Sequence, residues 1–446
     1  MTDLRHCFYN GKQVVIHILA FLLARKKCNV YETKGGKKRL VGEKLVVLIN
    51  FKEDFILQKG WKKCLCAAMA ATMAAGLIAG CGGEKKAANS NEIRIGGNFE
   101  LTGNVANYGN SAMNGIKLAF KEANAKGGIN GKQVNLIIAD NKSEPSEANN
   151  AMTKLITKDK VVAIMGPITS SNLIATAQIA ADKKIPVLTP TGTSPKITVD
   201  NGKVREMIFR SCFIDPFQGE VMARFAANSM KVKTAAIYID NSSDYSKGLA
   251  ETFRAEFEKM GGKIVAEEAF LQKDTDFKSA ITKIKAANPE VIFVPAYYQE
   301  VGMIVKQARE MGVTIPLIGT DGWDSPKLVE IAGAAALNNT FFSNHYAADD
   351  KDPRLQAFAD AYQKEYNQAP DAFAVLGYDG GLMMLDALRR SGGEDPKKIQ
   401  EALASTKDLQ VSSGILTLDA KHNPMKSAVV IEMKEGKQTF KEKVNP

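Results

Sequence analysis

From Asn91 onward the chain alternates between short β-branched or apolar runs and longer stretches whose apolar positions recur three and four residues apart. The short runs predict strands over 93–96, 134–139, 161–165, 186–189, 235–239, 264–267, 291–294 and 317–319. Between them lie amphipathic helices, of which Ala112, Ile116, Ala119, Phe120 and Ala123 mark one face. Helices over 353–366, 373–390 and 396–405 follow with no parallel strand among them, and 414–418 with 428–433 reads as a final strand pair. Alternation of this kind builds parallel sheets from βαβ units. The number of runs predicts two sheets, divided near residues 210–214.

Open parallel sheets bind ligands outside the carboxyl ends of their strands, so chemistry is sought in the loops that follow each run. Those loops are rich in small hydroxyl residues and tyrosine: Glu100-Leu101-Thr102-Gly103 with Tyr108, Gly166-Pro167-Ile168-Thr169-Ser170-Ser171, and Thr189-Pro190-Thr191-Gly192-Thr193-Ser194-Pro195. The second half contributes Asp244-Tyr245, Tyr297-Tyr298 and Thr320-Asp321-Gly322-Trp323.

The segment before Asn91 has another character. Lys59, Lys62 and Lys63 precede an apolar stretch from Cys64 to Ala79, which ends in Ile78-Ala79-Gly80-Cys81. This is the order of a secretory signal, a basic region, an apolar region and a small-residue cleavage site. The four residues ending in Cys81 look like a bacterial lipobox, in which Cys81 carries the lipid and becomes the first mature residue; an ordinary secretory signal or a buried apolar helix is the plainer alternative. Residues 82–91 are polar and small, as in a flexible tether. The expected organisation is thus 1–58 as a start site assigned too far upstream, 59–80 as lipoprotein signal peptide and 81–91 as tether. The body would then work outside the cytoplasmic membrane, held by lipid.

Charge follows the same division. The net charge of +10 over 446 residues would fit a nucleic-acid partner, but residues 1–80 hold 14 Lys and Arg against 5 Asp and Glu, and the remainder 45 against 44. A nearly neutral body offers no field for gripping phosphates, so no nucleic acid is expected. Five of the six cysteines lie at or before position 81, which leaves Cys212 alone in the body and excludes an internal disulfide there. The body has two histidines, His345 and His422, and no G-x-S-x-G, H-E-x-x-H or phosphate-binding lysine loop. Neither a metal site, a cofactor nor an enzyme is expected, and Cys212 reads as a small buried apolar residue.

What remains is a set of neutral donors and one carboxylate. Ser170 can stand at the N-terminus of a helix, where free amides and the helix dipole favour an anion. Thr193 adds a hydroxyl, Thr191 a backbone group, and Asp321 an acceptor for an ammonium. Together they would pair both ends of an α-amino acid, which a buried zwitterion requires because a stranded charge costs several kcal/mol. The bland alternative leaves Ser170 and Thr193 as caps and Asp321 as a turn residue.

These residues also carry a resemblance. From about Glu92 to the C-terminus the chain resembles the branched-chain amino acid (leucine/isoleucine/valine) substrate-binding proteins of ABC transporters, within the type I periplasmic binding proteins. The similarity rests on the order and spacing of Leu101-Thr102-Gly103, the Gly166-Pro167 loop, Thr189-Pro190, Phe209-Arg210 with Asp215-Pro216-Phe217-Gln218-Gly219, Tyr297-Tyr298 and Gly377-Tyr378-Asp379-Gly380. It implies an α/β fold of two Rossmann-like lobes joined by a three-strand hinge, lobe one being 91–211 plus 345–413 and lobe two 212–344 plus 414–446. It implies no catalytic activity, a monomer, and delivery of a leucine, isoleucine or valine to an ABC permease in the membrane. The ligand carboxylate would lie against Ser170 and Thr193, and its ammonium against the Thr191 carbonyl, Thr193 and Asp321, with Tyr297 close by. Tyr108, Tyr245 and Trp323 would shape the side-chain pocket. Asp321 stands where family members often carry Glu, and Thr191-Gly192 where they often carry Ala, which leaves the preferred side chain open. Relatives of the same fold take amides, aromatic acids or other small solutes, and a ligand-sensing module would use the same cleft.

Overall fold

The computed structural model describes residues 29–33, 37–42, 45–49 and 91–445. The chain forms two compact units, 1–87 and 88–446. In the first, strands Asn29–Thr33, Lys37–Gly42 and Leu45–Ile49 pair antiparallel in that order. The signal-peptide segment, Cys81 and the tether up to residue 90 lie outside the described residues.

The second unit contains two sheets. The first comprises β1 (Glu92–Phe99), β2 (Gln133–Asp140), β3 (Ala163–Met165), β4 (Val187–Thr189) and β5 (Ile208–Arg210), arranged β5-β4-β3-β1-β2 and wholly parallel. The second has seven strands, and its parallel part comprises β6 (Thr234–Asp240), β7 (Lys263–Phe270), β8 (Val291–Phe293), β9 (Leu317–Gly319) and β10 (Thr340–Asn344), arranged β7-β6-β8-β9-β10. The strand order reverses between β1 and β3 in one sheet and between β6 and β8 in the other, which creates two switch points, each opening a crevice at the strand carboxyl ends. The eight strands expected from the apolar runs are all present. β5 and β10 escaped notice because Ile208-Phe209-Arg210 and Thr340-Phe341-Phe342-Ser343-Asn344 are short and flanked by polar residues.

Helices cover the sheets through apolar stripes. In α1 (Ala106–Ala125) all five residues of the expected face are buried. α2 (Pro145–Thr157) and α3 (Ser170–Lys183) pack together over Met152, Leu155, Leu173 and Ala177. α4 (Asp215–Arg224) and α5 (Asp244–Lys259) serve the second sheet, as do α6 (Lys278–Ala286), α7 (Tyr298–Glu310) and α8 (Pro326–Ala332). α9 (Pro353–Tyr366), α10 (Ala372–Ser391) and α11 (Pro396–Ala404) return to the first lobe. α1 and α10 cross so closely that a Cβ on Gly115 would run into the Ala374 carbonyl oxygen, and one on Gly377 into that of Ala112. Only glycine permits this approach.

The chain passes between the lobes three times: after β5, after β10, and near residues 417–427. The third pass comes later than the expected boundary at 413/414. β11 (Leu409–Val411) and β12 (Gly414–Leu416) form a hairpin of their own, tied to α10 by the Ser412 and Ser413 hydroxyls on the Asp379 carboxylate. The expected pairing of 414–418 with 428–433 therefore does not occur. β13 (Ala428–Lys434) instead pairs antiparallel with β10 and with β14 (Lys437–Val444), because its apolar run completes the second sheet beside Phe342. Among the described residues no helix is long and apolar enough to cross a membrane.

Candidate functional site

The strand ends of the two sheets face each other, and the loops meet around a small cavity. Its lining draws Tyr108, Ser170, Thr191 and Thr193 from the first lobe and Tyr245, Tyr297 and Asp321 from the second. Seven of the eight candidate residues are thus brought together.

The first-lobe wall is built at the start of α3. The Glu100 carboxylate accepts from the Ile168 and Thr169 amides at 3.0 and 3.1 Å, from the Thr169 hydroxyl at 2.9 Å and from Asn172 at 2.8 Å. This buried carboxylate fixes the turn, so that Ser170 begins the helix with its side chain at the cavity. Ser170 Oγ accepts the Ser194 amide at 3.2 Å, which ties the loop after β3 to the loop after β4. The Thr191 hydroxyl donates to the Ile168 carbonyl at 2.8 Å. Beneath this loop the fully buried Arg210 donates to the Gly192 and Ser194 carbonyls at 2.8 and 2.7 Å. Helix-start amides and the Ser170 and Thr193 hydroxyls make this wall a neutral donor set, the kind that holds a carboxylate. Among the described residues the lining includes no Lys or Arg.

The opposite wall is electronegative. Asp321 Oδ1 accepts from the Tyr245 hydroxyl at 2.6 Å and from Gln218 Nε2 at 3.1 Å, and His345 Nε2 lies 3.0 Å from Oδ2. Next to it, burial pushes the Asp215 carboxyl up to about 7; the Thr193 hydroxyl opposes that rise and the Asp321 charge adds to it. Three neutral donors hold Asp321 in one orientation, and a fourth partner with positive charge would complete its shell.

Aromatic rings close the remaining sides. Tyr245 and Tyr297 stack at 5.1 Å, and Tyr108 stands edge-on to Tyr297 at 5.7 Å while stacking on Phe373 at 3.9 Å. The Tyr108 hydroxyl donates to the Gly322 carbonyl and accepts the Tyr298 amide at 3.1 Å, so a first-lobe side chain is anchored on the second lobe. Asn104 donates to Glu300 at 2.8 Å, Lys196 pairs with Asp244 at 3.2 Å, and Lys273 pairs with Glu144. These bonds across the cleft define a closed arrangement.

Trp323 is the candidate that does not line the cavity. It ends the 3₁₀ turn Asp321–Trp323, so while Asp321 faces the cleft its indole turns inward, donating to the Val294 carbonyl at 2.9 Å beneath the strand ends. Phe373 was missed as a lining residue: it sits in the first turn of α10, placed by the Asp371 cap on the Ala374 amide, and nothing local in the sequence points it at the site. Ile168, Thr169 and Gly322 also line it. Cys212 is fully buried, and burial pushes its thiol up to about 12, which keeps it protonated and poorly nucleophilic. Among the described residues no three His, Cys, Asp or Glu side chains are grouped to hold a metal ion.

Comparison with known proteins gives the site a context. A family model described as periplasmic binding protein matches residues 92–438. The leucine-, isoleucine-, valine-, threonine- and alanine-binding protein of Pseudomonas aeruginosa is 30% identical over 78% of this chain and 91% of its own length. Two solved structures are similar over about four fifths of this chain. The leucine-binding protein LivK of Thermotoga maritima is 35% identical with a TM-score of 0.75, over 79% of this chain and 99% of that one. The branched-chain amino acid transporter substrate-binding protein LivJ of Streptococcus pneumoniae, in complex with isoleucine, is 38% identical with a TM-score of 0.75, over 80% of this chain and 100% of that one.

Proposed function

Because the chain belongs to the periplasmic binding protein family, we propose that it captures a branched-chain amino acid between its two lobes and hands it to an ABC permease. The observation that carries this reading is a single cavity with hydrogen-bond donors on one lobe and a carboxylate on the other. A zwitterion spanning it would place its carboxylate at the start of α3, on Ser170 and Thr193. Its ammonium would reach Asp321, with Thr193 and the Thr191 carbonyl alongside. The side chain would fall among Tyr108, Tyr245, Tyr297 and Phe373. The relatives named for leucine, isoleucine and valine support an aliphatic side chain there.

Solute would drive closure by contacts made only when both lobes touch it, so the open–closed equilibrium moves by the difference in affinity between the two forms. Leucine has about nine heavy atoms, and a ceiling near 1.5 kcal/mol per atom limits its binding to roughly −13 kcal/mol. An affinity between micromolar and tens of nanomolar, about −8 to −10 kcal/mol, leaves room for release to the permease.

The family is extracytoplasmic. Attachment through a lipid on Cys81, after removal of a signal peptide over 59–80, is the finer reading, supported by the basic, apolar and small-residue order of that segment. A monomer that carries no cofactor and performs no chemistry on its solute completes the picture. A thermal-shift panel of the twenty amino acids and their amides tests the function, since a ligand that binds only the folded chain raises its melting temperature. Leucine, isoleucine or valine should give the largest rises; a panel without any response would refute the reading.

A further inference from the structure

Asp321 is held from the hinge as well as from its own lobe. His345 directly follows β10, at the start of the second pass between lobes, and its side chain is 1% exposed. Its ring stacks on Phe213 at 3.7 Å and 19°, and Phe213 lies in the first pass. Its Nε2 reaches Asp321 Oδ2 at 3.0 Å, while Nδ1 is buried without a partner among the described residues. Two of the three passes therefore meet at the ring that holds the carboxylate facing the cavity.

Resting on the amino acid reading above, we propose that neutral His345 is a positioning residue for Asp321 and that its protonated form competes with the ligand ammonium, so that solute is released as pH falls. In the neutral imidazole one nitrogen donates and the other accepts. With Asp321 as sole partner the proton belongs on Nε2, which leaves Nδ1 a bare acceptor. Burial lowers the imidazole pKa below its ordinary 6.5, and the hydrogen bond to Asp321 acts against this. At neutral pH the ring is thus a neutral donor, and the negative charge of Asp321 stays free for a cation. Protonation would place a second cation on the same carboxylate, and imidazolium and ammonium would become alternatives. Of the charged groups around the ring, Asp324, on the same turn as Asp321, favours protonation and Lys426, on the third pass, opposes it, while Asp350, Asp352, Arg354 and Lys443 line a cavity that His345 also borders. Asp215 reaches the group only through Gln218 and Asp321.

The sign follows from linkage. A bound ammonium depresses the imidazole pKa, so affinity is full above that pKa, falls below it, and binding at low pH releases a proton. The test is calorimetric titration of the full chain with leucine at pH 7.5 and pH 5.0, in two buffers of different ionisation heat, for the native protein, His345→Gln and His345→Phe. Glutamine keeps an N–H near the Nε2 position but does not titrate.

The native protein should bind leucine more weakly at the lower pH while releasing a proton, the loss staying within about tenfold per pH unit, the limit for one linked site. His345→Gln should bind within about threefold of native at pH 7.5 and lose less than about threefold on acidification, without the proton release. His345→Phe should be weaker at both pH values. An acid loss and a proton count in His345→Gln equal to the native ones would overturn the inference, even if His345→Phe fails to fold. A native chain that binds leucine equally well at both pH values would overturn it too. A native chain that binds no amino acid at either pH would instead bring down the functional reading on which it rests.

Discussion

Asp321 bears the sharpest demand in the site, since a buried ammonium without a charged partner is far costlier than a lost neutral hydrogen bond. Asp321→Asn keeps the shape and one accepting oxygen for Tyr245 and Gln218 but removes the charge. Calorimetry should show leucine affinity reduced by at least about 30-fold, or about 2 kcal/mol; unchanged affinity would take Asp321 out of the recognition set. At this scale the sequence was readable where a residue's type and its place after a strand sufficed. Ser170 and Thr193 follow strands as small hydroxyl residues, and Asp321 is the acid in the loop after β9. Trp323 was misplaced because two steps along a 3₁₀ turn carry the side chain to another face from that of Asp321, which spacing does not reveal. His345 and Phe373 were missed because the chain brings them to the site from the hinge and from a distant helix start. Glu100 lay in a loop already singled out, yet its part in shaping the turn before α3 depends on contacts some 70 residues away.

Among the elements, the α1–α10 crossing matters most to the cavity, because it sets Tyr108 against Phe373. The Gly377-Tyr378-Asp379-Gly380 motif serves packing between elements rather than contact with ligand. Gly377 admits the Ala112 backbone, and Asp379 holds the β11–β12 turn and lies 3.6 Å from Lys426 of the third pass. Gly377→Ala forces the helices apart and should cost about 1–3 kcal/mol in urea unfolding, the range for overpacking a tight contact. Leucine binding should weaken with it as the Tyr108–Phe373 wall shifts. A variant with native stability would show that the crossing has slack. Strands and helices of the βαβ part were legible because their periods are local. The terminal hairpins were not, since 409–418 and 428–444 are each short and apolar enough to pair with one another, and only the unfilled edge of the second sheet beside β10 decides between them.

For the whole molecule the closed arrangement rests on a few polar bonds between lobes, and it should be possible to weaken them without touching the cavity. Asn104 reaches Glu300, whose carboxyl burial pushes upward, and Lys273 also donates its amide to Glu300 at 2.8 Å. Asn104→Asp sets two carboxylates against each other and should favour the open form. Small-angle scattering should then show a larger radius of gyration, and leucine affinity should fall by up to about tenfold, the share of the free-energy difference that now has to be met by the ligand. An unchanged radius of gyration together with native affinity would show that this bond does not hold the lobes.

All three scales converge on a cavity that recognises both charged ends of one small molecule. The most direct measurement is the calorimetric affinity of the native chain for leucine beside that for its two halves, 4-methylpentanoate, which lacks the ammonium, and 3-methylbutylamine, which lacks the carboxylate. Leucine should bind at micromolar concentration or below, and each analogue at least about 100-fold more weakly, because each leaves one wall of the cavity unpaired. Either analogue binding as tightly as leucine would contradict the account.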